Sequence, residues 1–222
     1  MRCYRRTWMM MAMVCLVGLC LGCPGNGTTQ PGGTDPKGDD VAPNGGLAGG
    51  GNGHVDVPPP FTIPKVVLDA AQDVACQVKQ YEAMPDATLT DLAGKTCSLA
   101  ELREGKKLTV VCFWQDGIRA TQMLQDLQAD CFAVYAEKGV QVVGVNVGDA
   151  EPAVRQQIDD MAVKFPTLLD PDGVLFAKVA TADYSRVYLL DADGKILWFD
   201  IQFADDTRRI LDESIKLVIK GS

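Results

Sequence analysis

The sequence predicts an α/β domain in which a mixed central sheet has helices on both faces. Two short apolar runs, 108–114 and 140–147, are rich in β-branched and aromatic residues, as is typical of parallel strands that are buried on both sides. A helical pattern follows each run, and a hairpin and a last helix end the chain. Because strand–helix–strand units cross over in the right-handed sense, this order places helices on both faces of the sheet.

The elements of the domain can be assigned in chain order. A β-hairpin with its turn at 93–95 comes first, and a short helical turn follows it. The strand 108–114 leads through the turn 115–117 into a helix over 118–138, for which Asp116 is a good N-cap. The later elements are strand 140–147, a helix over 151–164, a hairpin about the turn 191–194, and a closing helix.

Two helices have apolar faces that predict how they pack. An added helix over 65–82, within the segment 61–84, repeats apolar residues at helical spacing at Val67, Ala71, Val74, Val78 and Tyr81. Cys76 falls on its opposite, polar face, and we therefore expect an exposed thiol. The helix over 118–138 directs five residues to the core, namely Met123, Leu124, Leu127, Cys131 and Val134.

The N-terminal residues 1–22 are typical of an export signal. Arginines precede an apolar run over 8–21, which is shorter than the roughly 20 residues that span a bilayer. The run ends at Gly22-Cys23 and resembles the lipobox of bacterial lipoproteins, although Cys20 stands where that family usually has Leu. The resemblance implies that Cys23 is acylated and anchors the protein to the membrane of a bacterial cell envelope. An ordinary signal peptide or an uncleaved anchor remains the alternative.

Residues 23–60 are rich in Gly and Pro and predict a disordered linker between the anchor and the domain. The only histidine, His54, lies in this linker, so the domain has no histidine for catalysis or metal binding. The formal net charge is −8, and removal of the arginine-bearing signal makes it more negative. This charge argues against nucleic acid and anionic lipid as partners, so membrane attachment would depend on the acyl chain.

Residues 85–222 resemble the thioredoxin-like superfamily, in its redoxin, thiol-specific antioxidant and membrane-anchored thioredoxin branch. The resemblance is carried by the segment 85–102 and by Phe113-Trp114 with the turn that follows. It implies the thioredoxin-like three-layer fold. In that family, a Cys-x-x-Cys pair stands at the start of the first long helix, where the helix end favours a reactive thiolate.

The residues that the family uses for thiol chemistry are replaced in this chain. The two cysteine positions fall on Ile118 and Thr121, and the position of the family's buried acid falls on Cys112. Its cis-proline position falls on Ser185, where we expect a trans peptide bond. A peroxiredoxin site also lacks its thiol, because residues 115–125 contain no cysteine. We therefore expect a degenerate site without cofactor.

Four cysteines remain in the domain, and their spacing does not match a zinc site. Cys112 and Cys131 lie on core faces and are predicted to be small buried hydrophobic residues. Because an exposed thiol seldom stays free outside the cytosol, Cys76 is predicted to form a disulfide with Cys97. The alternative is that this pair cycles between redox states.

Two functional hypotheses follow. The first is a lipid-anchored binding or accessory module that presents one surface to a protein partner, formed by Trp114, Gln115, Asp116, Gly117, Arg119, Tyr184 and Arg186. The second is a thiol–disulfide oxidoreductase or antioxidant protein that uses one of the remaining cysteines. A purely structural role at the cell surface is a third alternative.

Overall fold

The computed structural model describes residues 60–221, so the predicted signal peptide, His54, Cys23 and nearly all of the predicted linker lie outside the described residues. The strands are β1 (Thr88–Asp91), β2 (Thr96–Ser98), β3 (Leu108–Trp114), β4 (Val140–Val147), β5 (Thr167–Asp170), β6 (Arg186–Asp191) and β7 (Ile196–Ile201). The helices are α1 (Ala70–Ala75), α2 (Leu99–Arg103), α3 (Ile118–Asp126), α4 (Ala133–Tyr135), α5 (Glu151–Asp160), α6 (Phe176–Val179) and α7 (Asp205–Gly221).

All seven strands form one mixed sheet in the order β2-β1-β5-β4-β3-β6-β7. The predicted parallel pair is confirmed, because β3 lies parallel to β4, and β4 lies parallel to β5. The strands β6 and β7 form the predicted antiparallel hairpin. One set of buried apolar side chains covers each face of the sheet, which gives the three-layer arrangement that the sequence predicts.

The predicted helix over 65–82 is wrong, because only α1 is helical there. Asp69 begins α1 with a complete capping box, and Cys76 ends it in an extended conformation. The following residues then pair with the sheet. Cys76 bridges Ala180, and the Tyr81 N–H donates to the Ile196 carbonyl at 2.7 Å. Long-range backbone pairing thus overrides the helical pattern, and the predicted apolar face does not form, since Val67 and Val74 are exposed.

The segment 80–84 lies along the edge of β7 that β6 leaves free. Backbone hydrogen bonds join Tyr81 and Glu82 to Ile196, and the Met84 N–H donates to the Gly194 carbonyl at 2.9 Å. The Gln80 side-chain amide adds a bond of 2.8 Å to the Leu197 carbonyl. The segment 80–84 therefore completes this edge of the sheet.

The helix predicted over 118–138 is continuous but changes its winding. A π-helical stretch, Leu127–Phe132, follows α3, and α4 and a 3-10 turn, Ala136–Lys138, complete it. The π turn places one extra residue in the helix and changes the phase of all later residues. The prediction that Val134 faces the core is therefore wrong, since Val134 is exposed and Tyr135 is buried in its place.

Candidate functional site

The site is built where β3 ends beside the start of β6. These strands pair antiparallel, and Phe113 lies opposite Arg186. The loop after β3 and the segment before β6 are therefore neighbours, as the binding-surface prediction requires. Together they form an open cleft of about 380 Å³. Its walls are Gln115, Asp116, Gly117, Ile118, Arg119 and Ala120 on one side, with Asp183, Tyr184, Ser185 and Gln202 on the other.

Two members of the predicted binding surface are not on the surface. Trp114 and Arg186 are both fully buried, so their assignment to the surface is wrong. Trp114 is the last residue of a central strand, and its indole packs in the core close to Gly144. Arg186 turns inward, where its Nε donates to the Asp183 carbonyl at 2.7 Å and to the Ala182 carbonyl at 3.1 Å.

The first turn of α3 has no side-chain cap. The N-cap prediction for Asp116 is wrong, because Gly117 occupies that position with φ 155°. The Asp116 carboxylate instead accepts a hydrogen bond from the Gln157 side-chain amide at 2.9 Å. The backbone N–H of Asp116 donates to the Asp149 carboxylate at 2.7 Å. These bonds tie the loop to neighbouring elements and leave the backbone N–H groups at the start of α3 without a side-chain acceptor.

The two residues in the family's cysteine positions differ in exposure. Ile118 is 91% exposed at the start of α3. Thr121 is half-buried, and its hydroxyl donates to the Gly117 carbonyl at 3.2 Å. Neither side chain can form a thiolate, and none of the residues that line the cleft is a cysteine. The place where this fold carries a nucleophile is therefore occupied by an exposed apolar side chain.

The opposite wall has two strained residues. Asp183 and Gln202 adopt positive φ values of 59° and 67°, which residues other than Gly seldom do. The Gln202 N–H donates to the Ser185 carbonyl at 2.9 Å, which connects the end of β7 to the segment before β6. Every peptide bond among residues 60–221 is trans, including the one before Ser185.

The four cysteines of the described chain are free and buried. The predicted Cys76–Cys97 disulfide is wrong. Cys76 is only 6% exposed, because the chain leaves α1 at this residue and turns into the core. Its sulfur lies 3.1 Å from Nη1 of Arg186, whereas Cys97 lies in β2 opposite Leu89. Sequence reasoning missed the Cys76–Arg186 contact, because 110 residues separate the pair and neither residue has a local signal.

The predicted burial of Cys112 and Cys131 is confirmed. Burial raises the pKa of the Cys131 thiol to about 12 and also raises the pKa of the Cys112 thiol. Burial, with the neighbouring Asp91, also raises the pKa of Cys97. These three thiols are poor nucleophiles at neutral pH. Within residues 60–221, no group of three His, Cys, Asp or Glu side chains could hold a metal ion.

Comparison with known proteins agrees with this geometry. The AhpC/TSA family matches residues 81–199. Thiol-disulfide oxidoreductase ResA of Bacillus thuringiensis subsp. konkukian is 25% identical over 134 residues, which are 60% of this chain and 75% of the relative. ResA of Bacillus subtilis is 26% identical over 137 residues, or 62% of this chain and 73% of the relative.

Solved structures show the same fold. A protein described as a putative protein disulfide isomerase from Bacteroides thetaiotaomicron has a TM-score of 0.61 at 23% identity, over 66% of this chain and 93% of its own. A protein described as a putative thiol:disulfide interchange protein DsbE from Chlorobium tepidum has a TM-score of 0.57 at 21% identity, over 64% of this chain and 99% of its own. The chain therefore belongs to the AhpC/TSA family, and its domain has the thioredoxin-like fold.

Proposed function

We propose that this protein is a lipid-anchored binding module of the bacterial cell envelope, in which the cleft binds a segment of a partner protein instead of reacting with it. The observation that carries the proposal is Ile118, which is 91% exposed at the family's first cysteine position. Burial of an isoleucine side chain is worth about 1.5–3 kcal/mol, so a partner that covers it gains affinity.

The cleft offers two further contacts to such a segment. Tyr184 is 39% exposed on the opposite wall, and its ring packs 4.7 Å from that of Phe176, which fixes its orientation. The uncapped N–H groups at the start of α3 can donate to a carbonyl or carboxylate of the partner. An apolar side chain flanked by backbone acceptors matches this surface, which is the chemistry of an extended protein segment.

The absence of oxidoreductase activity is tested by measuring the rate at which insulin disulfides are reduced in the presence of the full-length protein. We expect the wild type to leave the uncatalysed rate unchanged and the variant I118C/T121C to accelerate it, because that variant restores two thiols at the start of α3. Catalysis by the wild type at the rate of the double variant would refute the proposal.

Binding is tested by photo-cross-linking in the cell. A cross-linking residue at position 118 should give discrete adducts with one partner, whereas the same residue at Gln125, which is exposed elsewhere on α3, should give none. Ile118→Asp should weaken capture of that partner at least about tenfold, because a charge replaces the apolar contact. An equal yield of cross-linked adducts from both positions would contradict specific binding at the cleft.

The anchor has its own test, since Cys23 lies outside the described residues. No helix within residues 60–221 is long and apolar enough to cross a membrane. We expect Cys23→Ala to move the protein from the membrane fraction to the soluble fraction, whereas the matched change Cys20→Ala should leave it at the membrane. Membrane association that survives Cys23→Ala would indicate an uncleaved anchor.

A second candidate function is thiol–disulfide chemistry at a cysteine outside the cleft, and the similarity to the ResA relatives favours it. Burial works against Cys97, Cys112 and Cys131, as described above. Only Cys76 among the four touches a cation. If the chain retains thiol chemistry, Cys76 is the residue to examine.

A further inference from the structure

The buried Arg186 has no carboxylate partner among residues 60–221. Its Nε and Nη2 donate to the carbonyl of Ala182, and Nε also donates to that of Asp183. Nη1 donates to the Cys76 sulfur at 3.1 Å. A guanidinium does not lose its proton in proteins, and an unbalanced buried charge is costly. Of these three acceptors within residues 60–221, two are neutral backbone carbonyls and the third is the Cys76 sulfur.

A second buried group points into the same place. Tyr188 is fully buried beside Arg186, whose guanidinium interacts with the hydroxyl oxygen, and the hydroxyl hydrogen has no acceptor among residues 60–221. The charge of Arg186 acts on this hydroxyl, and burial raises its pKa to about 12, so it stays a donor. A thiol, a cation and an unused hydroxyl donor therefore meet in one buried cluster, which favours a group that brings negative charge or a hydrogen-bond acceptor.

Access to Cys76 is controlled by α1. None of the six residues of this helix is buried, so few apolar contacts hold it on the domain. The Asp69 capping box stabilises the start of the helix itself, and the Thr181 N–H, which donates to the Ala75 carbonyl at 2.9 Å, joins the end of the helix to the domain. A short helix of this kind opens at a lower free-energy cost than the sheet beneath it. We infer that its opening, together with loss of the bridge between Cys76 and Ala180, exposes the sulfur.

We propose that Cys76 is a thiolation site, at which the sulfur forms a mixed disulfide with a small organic disulfide and the Arg186 cation stabilises the negative charge on sulfur during the exchange. The Cys76 thiol gives its proton to water and attacks one sulfur of the reagent. The reagent's S–S bond breaks, the new S–S bond joins Cys76 to one half, and the other half leaves as a thiolate that takes up a proton. Cys76 is oxidised and the departing half is reduced.

The reaction stops at the mixed disulfide. The family's dithiol has a second cysteine that would release the bound half, whereas Cys112 and Cys131 lie in the core on the other face of the sheet. Cys97, on the same face as Cys76, is held in β2. The result is stoichiometric modification, which is independent of the binding proposed for the cleft.

The first experiment compares Cys76 and Cys97 within the same molecule. Full-length protein is treated with hydroxyethyl disulfide, and mass-spectrometric peptide mapping follows the mixed disulfide at each cysteine. Both residues are buried to a similar extent, at 6% and 4% exposure, and both belong to one core cluster. We expect Cys76 to react at least about tenfold faster, because a neighbouring cation activates a thiol. Equal rates would overturn the proposal, and unfolding of the whole domain would raise both.

Variants of Arg186 test the cation. Arg186→Gln should lower the ratio of the two rates about tenfold, and Arg186→Lys should restore part of it, because the charge is kept. A ratio that stays at the wild-type value in Arg186→Gln would contradict the role of Arg186. If Arg186→Gln does not fold, the ratio measured in the wild type still decides the proposal.

Two cap variants test access and serve as controls for each other. Asp69 caps α1 and Ser98 caps α2, each in a complete capping box. Asp69→Ala should speed the reaction of Cys76 about threefold to tenfold and leave that of Cys97 unchanged, because the cap stabilises only its own helix. Ser98→Ala should leave Cys76 unchanged. Acceleration of Cys76 by Ser98→Ala as large as by Asp69→Ala would show that α1 is not its cover.

Discussion

Deletion of Ala129, in the π-helical stretch, is predicted to be tolerated. A π turn contains one more residue than the α turn it replaces, so removal of one residue can restore an α-helix. Ala129 is exposed, and the buried residues on either side of it are Leu127 and Cys131.

The phase of the helix determines the size of the effect. An α-helix turns about 100° per residue. After the deletion, Cys131 and Tyr135 follow Leu127 by three and seven positions, so both stay on the face that carries Met123 and Leu124. Their burial is kept, and the expected change in the free energy of unfolding is within about 2 kcal/mol, the scale of one or two altered backbone hydrogen bonds.

Deletion of Gln125 is the matched control, because Gln125 is exposed but lies in the regular α3. Here the same loss of one residue rotates Leu127, Cys131 and Tyr135 away from the core by about 100°. At roughly 1.5–3 kcal/mol for each large apolar side chain, the loss exceeds about 4 kcal/mol. Urea unfolding of the full-length protein, followed by far-UV circular dichroism, measures the change in the free energy of unfolding for both deletions. Equal destabilisation by the two deletions would refute the phase argument.

Three further predictions concern the core. Tyr135→Phe should lower the free energy of unfolding by about 1–2 kcal/mol in urea titrations, because the Tyr135 hydroxyl donates to Asp212 at 2.5 Å; an unchanged value would show that water replaces this bond. Gly144→Ala should cost about 1–3 kcal/mol, since the added methyl would lie 3.3 Å from Nε1 of Trp114, and a neutral result would show that the neighbours yield. Because burial raises the folded-state pKa of Cys131 to about 12, its contribution to stability is complete below the unfolded value of 9.0 and is lost as the pH rises through the folded value. Wild type should therefore lose about 3 kcal/mol more than Cys131→Ala between about pH 8 and about pH 11, and parallel losses would contradict this.

Much of the fold could be predicted because its signals are local. The runs that became β3 and β4 are apolar throughout, which only a strand buried on both faces explains in so short a length. The hairpin of β6 and β7 was marked by a Gly-containing turn. The loop after β3 and the segment before β6 were also placed on one surface, because the family resemblance gives their relative position.

The errors come from interactions between residues far apart in sequence. The segment after α1 has a helical pattern, but its backbone pairs with β7 and Ala180, and no local signal records those partners. The prediction placed Arg186 on the surface with the segment around the family's cis-proline position at Ser185. It is buried because two carbonyls and a sulfur satisfy its donors from inside. The π turn was missed because one extra residue changes helical phase without changing composition.

The hydrogen bonds between the segment 80–84 and β7 have a consequence for solubility. An uncovered strand offers a row of unpaired N–H and carbonyl groups to any other extended chain. Here Tyr81, Glu82 and Met84 occupy part of that row. A fragment that began at residue 85 would keep all seven strands but would expose the first residues of β7, and two such fragments could pair edge to edge. The added segment therefore protects the protein against self-association, and a shortened version is expected to aggregate.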